Sequence, residues 1–90
     1  MGFDKTNFVQ EFINENEYYA LGYDKSDNKK VLAVTITWVA WYEVYFELTE
    51  DEYEWHKTNL SSLNDLAQRM AIDKGVKIYK DRLLLNEGPK

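Results

Sequence analysis

From Val31 to Leu48, apolar residues occupy every second position: Leu32, Val34, Ile36, Trp38, Ala40, Tyr42, Val44, Phe46 and Leu48. The intervening set is mixed: Val31, Ala33, Thr35, Thr37, Val39, Trp41, Glu43, Tyr45 and Glu47. A period of two belongs to a β-strand, whose successive side chains point to opposite faces. The pattern predicts one dry face packed on a core and one mixed face turned outward. As a single strand the run would reach roughly 60 Å, longer than so small a domain can hold. The chain therefore folds back near residues 38–42. A three-residue connection at Val39, Ala40 and Trp41 would set Trp38 opposite Tyr42, Ile36 opposite Val44 and Val34 opposite Phe46. A two-residue turn would instead put Ile36 opposite Glu43 and mix the faces. The run is also long enough to raise a transmembrane helix. Glu43 inside it and the abundance of β-branched and aromatic residues argue against one.

Elsewhere the apolar spacing changes. Phe8, Val9, Phe12 and Ile13 recur on one helical face, Asp4 stands where an N-cap would, and Phe3 and Phe8 have hydrophobic-staple spacing. Residues 5–15 therefore read as an amphipathic helix. Residues 17–23 (EYYALGY) read as a strand and 24–29 (DKSDNK) as a turn. Thr49 and Glu52 fit a capping box, so a helix begins at Glu50. A second start stands at Asn59, followed by Leu60, Leu63, Leu66, Ala67 and Met70 at helical spacing, with Asp65 and Arg69 able to pair and Gly75 as a stop. Residues 76–80 (VKIYK) read as a strand, and residues 81–90 as a last short extended piece. The order α-β-β-β-α-α-β implies an α+β fold. Its mostly antiparallel sheet of about four strands carries the N-terminal helix and the central helix pair on one face.

Ninety residues make one domain. A chain with 44% hydrophobic residues, four glycines and one proline has enough to bury and is not low-complexity. It has no cysteine, which removes disulfides, thiolate zinc sites and cysteine nucleophiles, and points to a reducing cytoplasm. The N-terminus lacks a signal-peptide pattern. Gly2 and Thr6 match the loose myristoylation pattern, but Phe3 and Asp4 have the plainer use just described. The formal net charge is −5. Such a surface is repelled by nucleic-acid phosphates and by anionic lipid, and attracts a basic protein.

No catalytic constellation is present. His56 is the single histidine, too few for a transition-metal site, and fits a helix end or a pair with Glu52. Ser61 and Ser62 sit at a helix start, where serine is expected without catalysis. The segment DKSDN lacks the glycine and downstream glutamate of a calcium loop. Lys25, Lys29 and Lys30, mixed with Asp24 and Asp27, read as a solvated hairpin end. No enzyme activity, cofactor or metal is expected. Aromatic residues next to acids are more informative, because Trp and Tyr anchor interfaces and carboxylates pair with arginine and lysine. The candidate partner-binding residues are Trp41, Glu43, Tyr45 and Glu47 on the mixed strand face, with Glu50, Asp51, Glu52, Glu54 and Trp55 at the helix start.

Residues 42–67, YEVYFELTEDEYEWHKTNLSSLNDLA, combine an aromatic strand, a Thr-capped acidic helix and a second capped helix. This segment resembles small immunity proteins of bacterial polymorphic-toxin systems. The resemblance implies a cytoplasmic, acidic protein that binds one cognate toxin domain, often a basic nuclease, and carries no residue-by-residue assignment. The expectation is a non-enzymatic binding protein that neutralises a basic partner without touching nucleic acid or membrane. A phage-encoded inhibitor or nucleic-acid mimic belongs to the same class. A competing class is an assembly protein whose exposed strands pair into a homodimer.

Overall fold

Alternating polarity has its counterpart in five paired segments. The computed structural model describes residues 3–36, 42–71 and 78–87. Its strands are β1 (Phe8–Asn14), β2 (Tyr19–Asp24), β3 (Lys30–Ile36), β4 (Tyr42–Leu48) and β5 (Leu83–Asn86). They form one antiparallel sheet in the order β1-β2-β3-β4-β5. Helices α1 (Glu50–Thr58) and α2 (Leu60–Ala71) follow β4 and pack on one face. The fold is α+β, with five strands where about four were expected.

The N-terminal segment is not a helix. Lys5–Asn7 form a single 3-10 turn, with Asp4 accepting a hydrogen bond from the Thr6 amide at 3.0 Å, and β1 follows directly. Its register with β2 shifts between Gln10 and Phe12, a β-bulge at Glu11. The bulge accounts for the misleading spacing. Residues opposite one another in a ladder share a face. Val9 lies opposite Tyr23 and Phe12 opposite Leu21, both on the helix-covered side, whereas Phe8 opposite Asp24 and Ile13 opposite Ala20 lie on the other. One extra residue thus turns a period of two into intervals of three and five, which imitate a helical stripe. Gly22 sits opposite Gln10 at the start of this irregularity. A Cβ there would lie 1.9 Å from the Val9 carbonyl oxygen.

Strands β3 and β4 keep the expected apolar set together in a different register. Ile36 pairs with Tyr42, Val34 with Val44 and Leu32 with Phe46. The slip from the expected pairing is two residues, which preserves the faces, so the alternation alone could not choose between them. Trp38, the expected partner of Tyr42, lies outside the described residues with the rest of 37–41. Of the segment 76–80 expected as a strand, Ile78 to Lys80 are not in one, and the rest lies outside the described residues together with Gly75. The final strand begins after a 3-10 turn, Lys80–Arg82.

The main core lies between sheet and helices. Leu21, Leu32, Val34, Val44 and Phe46 meet Leu63, Leu66, Ala67 and Met70, all buried, while Leu60 stays exposed. Each of these side chains larger than alanine contributes roughly 1.5–3 kcal/mol by leaving water. The Thr49 capping box is complete, with the Glu52 carboxylate accepting from the Thr49 amide at 2.9 Å and Thr49 Oγ1 from the Glu52 amide at 3.2 Å. The β1–β2 turn is tied to α2. The Tyr19 hydroxyl donates to Asn64 Oδ1 at 2.6 Å, and Gln68 donates to Glu17 at 2.8 Å.

Candidate functional site

The expected binding residues divide between two layers. Glu43, Tyr45 and Glu47 lie on the helix-free face of β4, whereas the acidic helix start lies in the layer that covers the opposite face. Trp41 lies outside the described residues. Tyr45, expected on an open face, is buried, with 5% of its surface exposed. Phe3 lies tilted against its ring and Phe8 meets it edge-on, with ring centres 5.1 and 5.6 Å away, and Val31, Ala33, Leu84 and Leu85 complete a second, smaller core. The hydrophobic-staple spacing of Phe3 and Phe8 therefore serves to cover the sheet. Burial first, and then the charges of Glu43 and Glu87, hold the Tyr45 phenol well above its ordinary pKa.

The helix start is also divided. Glu50, Asp51 and Glu54 are exposed. Glu52 is committed to the capping box and to a bidentate-capable partner, Arg82, with only 15% of its side chain exposed. Trp55 is half-buried against the main core. His56 packs its ring between Phe12 and Tyr53 at 5.2 and 5.0 Å, and its Nδ1 faces the Tyr53 carbonyl rather than Glu52. The Tyr53 hydroxyl donates to Glu11, the bulged residue of β1. Lys30 is not part of a solvated cluster, because its ammonium lies 4.5 Å from the centre of the Tyr53 ring. Arg69 reaches the Asp65 carbonyl oxygen at 3.4 Å.

Among the described residues, nothing packs over the part of the helix-free face next to the β1–β2 turn. There Ala20 and Ala33 form the floor of a groove of about 270 Å³, with Gln10, Ile13, Glu15, Tyr18, Thr35 and Glu43 around it. Small residues at adjacent positions of β2 and β3 make the depression, since Ala20 lies directly opposite Ala33. Ile13 and Tyr18 are 52% and 50% exposed, unusual for large apolar side chains that flank one depression. Tyr18 holds a positive φ of 58° in the β1–β2 turn, a conformation that bulky residues seldom adopt. Two carboxylates, Glu15 and Glu43, line the groove, and no lysine or arginine does so among the described residues.

Of the expected site residues that the structure describes, this groove includes Glu43 alone. Ile13, Glu15 and Tyr18 escaped the sequence reading because a helix over 5–15 would have buried Ile13 and put Glu15 at its end. The exposed aromatic-acid pair Glu15 and Tyr18, in a turn between two apolar runs, was the available signal. Among the described residues no cluster of His, Cys, Asp and Glu could hold a metal ion, and no helix is long and apolar enough to cross a membrane. No family model matches the chain, and neither a curated protein nor a solved structure matches it.

Proposed function

We propose that this chain is a non-catalytic binding protein that neutralises a basic protein partner, in the manner of an immunity or inhibitor protein acting on a toxin nuclease domain. The observation that carries this reading is the open half of the helix-free face. Its groove has an apolar floor, exposed flanking Ile13 and Tyr18, and carboxylates of one sign, on a chain whose net charge is −5. Apolar anchors within a rim of like charge suit a partner of opposite charge, which is steered in and then loses water at the anchors. Exposed Glu50, Asp51 and Glu54 add to the attractive field. Pairing of exposed strands into a homodimer is less favoured by the sheet edges. The edge strand β1 is interrupted by its bulge, and β5 has four residues.

The test is capture from the native cell lysate followed by add-back. The tagged chain should retain one basic protein that high salt releases, and returning the chain should suppress that protein's activity. A variant carrying Glu15→Lys and Glu43→Lys should do neither. Recovery of the chain alone, as a salt-resistant dimer, would overturn the reading in favour of assembly.

A further inference from the structure

The groove lies just under the low end of pockets for drug-sized molecules, which run from roughly 300 to 1,000 Å³. At about 270 Å³ and open to solvent it has the scale of one inserted side chain. Its chemistry narrows the choice. The floor, Ala20 and Ala33, offers no polar side-chain atom, so it suits an aliphatic stem or a flat face. Around it stand acceptors in several directions: the carboxylates of Glu15 and Glu43, and the oxygens of Gln10 and Thr35. The Glu43 carboxylate already accepts from the Tyr45 hydroxyl, at 3.3 Å, which leaves it further lone pairs. Five N–H donors spread in a planar fork match such an arrangement better than one ammonium point charge does. Half-exposed Tyr18 stands on the same groove and adds aromatic character to its edge.

Resting on the binding function proposed above, we infer that the groove between the β1–β2 turn and β4 is an arginine pocket. It takes one arginine side chain of the partner, with the stem over Ala20 and Ala33 and the guanidinium between Glu15 and Glu43. Tyr18 and Ile13 flank the entering chain. The strained backbone at Tyr18, anchored next to the Asn14–Tyr19–Asn64 hydrogen bonds, keeps this edge of the groove in place before the partner arrives.

The probe is N-acetyl-arginine amide, titrated into the isotopically labelled full chain and followed by amide chemical shifts. Saturable shifts at Ala20, Ala33 and Thr35 are expected in the millimolar range, as suits so small a ligand. Glu43→Gln should weaken binding by roughly tenfold, the loss of one charge-assisted hydrogen bond. Glu15→Gln provides a second variant that leaves the sheet untouched. N-acetyl-citrulline amide, isosteric and uncharged, should produce no saturable response. Equal shifts with citrulline, equal binding of the lysine analogue, or shifts centred on Glu50, Asp51 and Glu54 would each overturn the assignment. The two levels separate cleanly. Arginine binding with no neutralised partner would sink the function alone, whereas a captured partner indifferent to Glu15→Gln and Glu43→Gln would sink the pocket alone.

Discussion

Gly22 shows how little room a single position can have. The Val9 carbonyl occupies the space of a Cβ, at 1.9 Å, and backbone cannot yield as the tip of a flexible side chain can. Gly22→Ala should cost about 2 kcal/mol or more by forcing β1 off β2, read as a lowered urea midpoint. A second residue-scale consequence concerns pH. Tyr45 and Tyr53 are both held above the ordinary phenol value of 10.0, each by burial first, Tyr45 next by Glu43 and Tyr53 next by its hydrogen bond to Glu11. In the folded chain these phenols keep their protons to higher pH than in the unfolded chain. Their stabilisation is complete below the unfolded value and is lost as pH rises from there toward the folded one. Stability should therefore fall from about pH 10 upward, and Tyr45→Phe should soften the decline. An unchanged urea midpoint up to about pH 11 would contradict the burial of these hydroxyls.

At the scale of elements, local signals succeeded where the chemistry was local. The Thr49 box is closed within four residues, and its prediction did not depend on the rest of the chain. Thr49→Ala should destabilise by about 1 kcal/mol in equilibrium unfolding, whereas Glu52→Gln should cost less, because glutamine also serves at the third helical position. The reverse order would mean that the pair with Arg82, rather than the cap, holds α1. The N-terminal element failed for an equally definite reason. A bulge inserts one residue into the alternation, and the residues that identify it, Glu11 facing Tyr53 and Gly22 under Val9, lie far apart in sequence. Without those long-range neighbours, Phe8, Val9, Phe12 and Ile13 fit a helix as well as a bulged strand.

For the whole molecule, charge and open surface act together. Replacing Glu50, Asp51 and Glu54 with lysine turns the net charge positive while leaving the capping glutamate in place. Association with a basic partner should slow by about tenfold or more at low salt, with little change in dissociation, and the salt dependence should flatten. Stopped-flow rates at several ionic strengths measure this, and a variant that binds as fast as the parent would remove the steering role. The candidate site was legible only in part at this scale. Glu43 was placed correctly on the mixed face, but Tyr45 next to it was not open, because the N-terminal Phe3 and Phe8 return across the sheet to cover it.

Periodicity and capping, which act over a few residues, determined from the sequence alone that this is an α+β chain. They also gave Leu32 to Ile36 and Tyr42 to Leu48 one dry face and started two helices after Leu48. Net charge, a sum over the chain, needed no structure either. The register of β3 on β4, the bulge in β1, and the division of the outer face into a covered half and an open groove were decided by tertiary structure. Each depends on which distant residues meet: a two-residue slip leaves every side chain on its face, and exposure belongs to whatever else packs nearby. Only the assembled sheet separates buried Tyr45 from exposed Tyr18.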